Sequence, residues 1–149
     1  MRALIQRVLR ASVTCDNGHT SSIGQGYMIL LGVGENDDEA TCARLWNKIH
    51  KLRIFRDDAG KTNLNLAAVG GDVLIVSQFT LYADTKKGNR PSFIHAADPA
   101  SSERLYDYFV ELARHDVEVV GTGSFGAEMK VELVNDGPFT IWLDTDDFN

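Results

Sequence analysis

Two cysteines and no long apolar run mark this 149-residue sequence, and each scarcity removes a class of protein. Cys15 and Cys42 are too few and too far apart for a disulfide framework or a CxxC metal or redox motif, so reduced thiols are expected. The longest uninterrupted apolar run, Tyr27 to Leu31, has the length of a strand and falls short of the roughly 18 residues that span a bilayer. The N-terminus carries Arg2, Arg7 and Arg10 without a signal-peptide apolar stretch or cleavage site, which makes the cytoplasm the expected compartment and no membrane partner is expected. Basic charge is also short: 15 Lys and Arg stand against 21 Asp and Glu. That balance speaks against a general nucleic-acid coat, whose affinity rests on clustered cations, and leaves room for a local basic patch.

What is present suffices for one folded unit, residues 1–149, with 44% hydrophobic residues to form a core. The charge is polarised along the chain. Residues 1–97 hold 12 basic against 9 acidic side chains, and residues 98–149 hold 3 against 12. Arg44, Lys48, Lys51, Arg53 and Arg56 form one basic cluster, and Lys86, Lys87 and Arg90 form another in a Gly- and Pro-containing loop. Such basic runs are usually solvated faces, and on composition alone the first cluster reads so before it reads as a phosphate contact.

The segment Ala3 to Val13 alternates in a broken period of two and reads as a half-buried strand. A turn at Gly24-Gln25-Gly26 precedes Tyr27 to Val33, a continuous apolar run expected to be a central strand covered on both faces. Asp37, Asp38 and Glu39 favour a helix start, and Cys42, Leu45, Trp46, Ile49 and Leu52 recur at helical spacing. Turns at Asp57 to Gly60 and at Gly70-Gly71 lead to Val73–Leu81, a second buried strand running into polar residues. Asp98-Pro99 opens a second helix that ends near His115. Strand-like segments follow at 117–120, 129–134 and 139–143, the last two separated by a turn at Asn135-Asp136-Gly137-Pro138. Roughly six strands and two helices predict an α/β or α+β fold with a mixed sheet.

Gly121-Thr122-Gly123-Ser124-Phe125-Gly126 matches the dinucleotide-binding GxGxxG spacing, but strand-period residues follow it where the motif needs a helix N-terminus for the pyrophosphate. The four histidines have no ligand spacing, and no catalytic triad is evident. Two polar islands remain, Ser77-Gln78-Phe79-Thr80 at a strand end and Asn135 to Pro138. On pattern alone the first could merely satisfy strand-end hydrogen bonds, and the second could be a hairpin turn.

Ser77-Gln78-Phe79-Thr80-Leu81-Tyr82-Ala83 and Asn135-Asp136-Gly137-Pro138 resemble the D-aminoacyl-tRNA deacylase family. The likeness extends through Gln6-Arg7-Val8, Leu52-Arg53-Ile54-Phe55, Arg90-Pro91-Ser92-Phe93 and Phe125-Gly126-Ala127 with Met129, nearly the whole chain. It implies a single-domain cytoplasmic homodimer with a largely antiparallel, barrel-like sheet and two helices, acting on D-aminoacyl-tRNA without metal or organic cofactor. Ser77, Gln78, Phe79 and Thr80 are the implied catalytic segment and Met129 a lining residue. Gly137 and Pro138, with a cis bond, are the implied chirality filter, inserted into the partner subunit's site. Their backbone carbonyls would clash with an L side chain, and because glycine has no side chain, glycyl-tRNA is expected to be cleaved as well. Two mechanisms stand open: attack by the Thr80 hydroxyl, which lacks an evident base, and attack by water assisted by the ribose 2′-hydroxyl with backbone amides holding the oxyanion; the second is favoured. Within this resemblance the loop cations Lys86, Lys87 and Arg90, and Arg44, Lys48 and Lys51 on the helix, are candidate tRNA phosphate contacts.

Overall fold

One long strand organises the chain in the computed structural model, which describes residues 1–149. This is β1 (Arg2–Cys15), whose buried residues Ala3 and Ile5 face one side and Val13 and Cys15 lie further along. One edge of β1 pairs antiparallel with β8 (Met129–Asp144) over nearly its full length. The other edge is shared by two antiparallel partners: β3 (Gly26–Gly32) lies along Arg2 to Val8 and β2 (Thr20–Ile23) along Ala11 to Thr14. Beyond β3 the sheet continues in parallel with β6 (Asp72–Ser77) and then β7 (Val120–Thr122). A small hairpin, β4 (Phe55–Arg56) and β5 (Thr62–Leu64), turns at Asp57 to Gly60 as expected.

The sheet curls until its ends nearly meet. Gly121 of β7 sits so close to β2 that a Cβ built on it would lie 2.6 Å from Ser21 Oγ. Glycine is what permits this approach, so the GxGxxG-like stretch closes a barrel and opens no helix.

Two helices cover one face. Helix α1 (Glu39–Lys51) starts on Asp38, whose carboxylate accepts from the Thr41 N–H at 2.8 Å, and α2 (Pro99–Asp116) starts on Asp98, which accepts from Ser101 at 3.0 Å. Cys42, Leu45, Trp46 and Ile49 of α1 and Leu105, Phe109 and Ala113 of α2 pack on Tyr27, Ile29, Leu31, Val73 and Ile75 of the sheet. The alternate residues Met28, Leu74 and Val76 point into the barrel, against Val8, Val13 and Ile23. Both central strands are therefore apolar on both faces, which is why they read as continuous runs.

Three sequence expectations shift. The strand expected over 73–81 stops at Ser77, and Phe79–Tyr82 form a 3₁₀ turn. The neighbouring β3 itself ends at Gly32, so the ladder closes with the Gln78 N–H donating to Leu31 O at 2.8 Å and the chain then turns. Residues 117–119 cap α2, with the Val117 N–H donating to Ala113 O, and the strand begins only at Val120. Finally, Asn135 to Pro138 is no hairpin turn. Both flanking segments pair with the same strand, Gln6 opposite Thr140 and Val8 opposite Asn135. Two steps along β1 thus face five along β8, and the three surplus residues bulge outward from one continuous strand.

Candidate active site

The first polar island is set by the end of β6. Ser77 pairs with Leu31, Gln78 is half-buried, and Phe79 and Thr80 are exposed. Gln78 Nε2 donates to Thr80 Oγ1, and no ionisable side chain contacts that hydroxyl. The N–H groups of Phe79 and Thr80 open the 3₁₀ turn and have no acceptor within it. Arg2 fixes the far end of the turn: its Nη1 donates to Leu81 O at 2.9 Å, and its guanidinium lies 4.3 Å over the Tyr82 ring. Burial raises the Tyr82 phenol well above its ordinary value, so it stays neutral.

The chain then forms a loop pinned by two hydrogen bonds between Asp84 and Ser92, at 2.7 and 2.9 Å, with Lys86, Lys87 and Arg90 exposed at its tip. Past the loop, the Phe93 ring meets Phe79 edge-on at 4.9 Å. Met129 also comes to this end of the sheet, half-buried against Gly123 and close to Val76, the residue before Ser77. The structure therefore brings together Ser77, Gln78, Phe79 and Thr80, with Met129 near the strand end and the loop cations beyond.

Gly137 and Pro138 are elsewhere. Their peptide bond is cis, both residues are exposed, and Gly137 has φ +146°. A Cβ at Gly137 would lie 3.0 Å from Phe139 N and 3.1 Å from Arg7 Nη2, so the position favours glycine twice over. The bulge is held from below by Arg7, only 2% exposed. Arg7 Nε donates to Asp136 O at 2.9 Å and Nη1 to Ile54 O at 2.5 Å, while the guanidinium lies 4.6 Å over the Phe139 ring. Burial, and then repulsion from Arg56, lowers the Arg7 pKa, opposed by Asp136 at 3.8 Å. Asn135 closes the bulge from within: its Oδ1 accepts from Phe139 N at 2.6 Å and its Nδ2 donates to Thr140 Oγ1 at 3.0 Å.

No hydrogen bond or ion pair joins this bulge to Ser77–Thr80 in the same chain. It lies opposite Arg7 on β1, whereas Ser77 lies beside Leu31, which pairs with Ala3. Strands β1 and β3 stand between the two islands, with four residues of offset along β1, so they lie on separate parts of the curled sheet. No three His, Cys, Asp or Glu side chains converge to ligate a metal.

A family model described as D-Tyr-tRNA(Tyr) deacylase matches residues 4–144. This chain belongs to that family. A D-aminoacyl-tRNA deacylase of Photobacterium profundum is 58% identical over 143 residues, covering 96% of this chain and 99% of that one. One from Thermomicrobium roseum is 57% identical, covering 97% and 94%. Among solved structures, one titled c-Myc DNA Unwinding Element Binding Protein superposes with TM-score 0.90 at 40% identity, covering 97% of this chain and 98% of that chain. A probable eukaryotic D-amino acid tRNA deacylase shares the fold, with TM-score 0.86 at 17% identity, covering 95% and 97%.

The candidate segments that the sequence marked reach the surface at Phe79, Thr80, Gly137 and Pro138, and what it left without a role is their support. Arg7 and Asn135 stand inside the family-like motifs, yet pattern reading gave neither a task. A signal for Arg7 was available: alternation puts it in phase with Ala3 and Ile5, the buried side of β1, where a cation needs a partner.

Proposed function

We propose that the chain hydrolyses the ester joining a D-amino acid to the 3′-terminal adenosine of tRNA, releasing the free amino acid and a reusable tRNA. Family membership supports the ester hydrolysis. The observation that carries the finer reading is the exposed, glycine-requiring bulge, which presents backbone to solvent and is anchored by a buried arginine. Because it lies far from its own chain's Ser77–Thr80, a homodimer that seats the bulge of one subunit on the catalytic segment of the other completes a site.

In that site the Gly137 and Pro138 carbonyls face the substrate α-carbon. An L side chain would strike them, and a D side chain would point away. Selection made by exclusion reads handedness and not side-chain identity, so many D-amino acids are substrates and glycine is not excluded. The reacting carbonyl lies at Ser77–Thr80, where the free Phe79 N–H stabilises the oxyanion formed when water attacks. The ribose 2′-hydroxyl assists proton movement, water supplies the new acyl oxygen, and the departing 3′ oxygen takes the proton. Thr80 is a positioning residue, since its hydroxyl is bonded to the Gln78 amide and faces no base. The loop cations Lys86, Lys87 and Arg90 neutralise phosphates beside the catalytic segment.

A second reading comes from the 40% identical structure titled as a DNA-unwinding-element binding protein: a nucleic-acid-binding module without catalysis. Incubating purified protein with D-tyrosyl-tRNA and glycyl-tRNA, with and without chelator, separates the two. Release of both amino acids at chelator-independent rates is expected. Retention of nucleic acid with both esters intact would favour the binding module.

A further inference from the structure

An open groove of about 660 Å³ runs between α1 and the chain's last residues, and Arg44, Lys48, Lys51 and Arg53 line it. The helical period puts Arg44, Lys48 and Lys51 at i, i+4 and i+7, on the side away from the buried Cys42, Leu45 and Ile49. All four cations are exposed, and none forms an ion pair. Arg53 is turned toward Asn63, to which it donates two hydrogen bonds. The Phe148 ring lies under Arg44 and Lys48, at 5.7 and 5.6 Å, and restrains both stems. Asp147 is the one acidic lining group. Four cations against one acidic side chain leave the groove positive on a chain with net charge -6.

We propose that this groove holds the sugar-phosphate backbone of the tRNA whose 3′ ester lies against the Gly137-Pro138 bulge. The inference rests on the deacylase reading and adds where the body of the RNA sits. Groove and bulge share one anchor: the Arg7 guanidinium that binds Asp136 O also binds Ile54 O, at the end of the segment leaving α1, and Arg56 pairs with Asp136 at 3.5 Å. Lys51 is three residues from Ile54, at most about 10 Å of chain. Arg44 lies about 10 Å further up the helix. The cationic strip therefore begins near the bulge and leads away from it, as the backbone of an RNA does when its terminal ester is separated from the paired stem by a few unpaired nucleotides. At about 3.4 Å of axial rise per phosphate on one strand, the strip can meet two or three phosphates. These contacts read no sequence.

The test uses Lys48→Gln/Lys51→Gln, two exposed helix-surface changes, in the intact protein. Wild-type hydrolysis of D-tyrosyl-adenosine, which has no phosphate backbone, is measured first; its absence would be a failure of the deacylase reading and not of the groove. KM for D-tyrosyl-tRNA is then measured at about 50 and about 200 mM salt. Each neutralised duplex phosphate contributes a salt exponent of about 0.9, so each contributes about 3.5-fold to the rise in KM over that range. The double variant is expected to show a salt-induced rise smaller by about tenfold, with kcat unchanged, and Lys48→Arg/Lys51→Arg to restore the wild-type dependence. A salt dependence identical to wild type, or a loss confined to kcat, would overturn the proposal.

Discussion

Replacing Arg7 by Met would remove the charge and both donors and keep most of the side-chain volume. The structure sets the cost. Arg7 Nε and Nη1 each donate to a carbonyl oxygen, of Asp136 and of Ile54, and hydrogen bonds made by charged groups contribute about 1.5–3 kcal/mol each. Met supplies no donor, so both carbonyls lose a partner, and stacking on Phe139 is lost as well. Against this, no guanidinium need be desolvated, which returns part of the loss. The balance is about 3 kcal/mol of destabilisation, and a chain of this size loses about 2–4 °C in Tm per kcal/mol, so Tm should fall by about 6–12 °C. The bulge would lose its tether before the fold is lost. Thermal unfolding followed by circular dichroism gives the first quantity. Rates of D-tyrosyl- and L-tyrosyl-tRNA hydrolysis, taken well below the lowered Tm, give the second, and the D-to-L ratio should drop. A Tm within about 2 °C of wild type with an unchanged ratio would refute the view that Arg7 holds the bulge in place.

Thr80→Ala should lower kcat less than tenfold, because the hydroxyl has only the Gln78 amide as a partner; a trapped acyl-Thr80 intermediate would reverse that mechanism. Burial pushes the Cys42 thiol from its ordinary 9.0 up to about 12. The stability it carries is therefore complete below pH about 9 and decays as pH rises toward about 12, so the urea midpoint should fall between pH about 8 and about 10.5 and fall less in Cys42→Ala. A midpoint that does not fall, or rapid reaction of native protein with Ellman's reagent, would contradict the buried thiol. If the proposed homodimer forms the site, Gln78→Ala and Gly137→Leu chains, each weak alone, should regain activity when refolded together, since a mixed pair would combine one intact Ser77–Thr80 segment with the other chain's intact bulge. No recovery would place both halves in one subunit.

The fold was legible where local chemistry and packing agreed. The two N-caps, the helical spacing of Cys42, Leu45, Trp46 and Ile49, and the doubly buried strand at Tyr27 each follow from a few neighbouring residues. It was illegible where a distant partner decides. Met129–Val134 and Phe139–Leu143 read as two strands around a turn because Asn-Asp-Gly-Pro is turn chemistry; only the length of β1, which pairs with both, makes them one bulged strand. The residues after Ser77 read as strand until the end of β3 removes the neighbouring ladder. The candidate site divides in the same way. Its exposed residues were marked by motif, whereas the support from Arg7, reaching Ile54 and Asp136, depends on contacts 47 and 129 residues away in sequence.

Selection by handedness at the amino acid's α-carbon is read from single-turnover hydrolysis of D-tyrosyl-tRNA and L-tyrosyl-tRNA by the wild-type protein against a buffer control. Rapid loss of the D ester is expected while the L ester decays at the buffer rate. Equal loss of both would make the chain a general aminoacyl ester hydrolase and contradict the role given to Gly137 and Pro138.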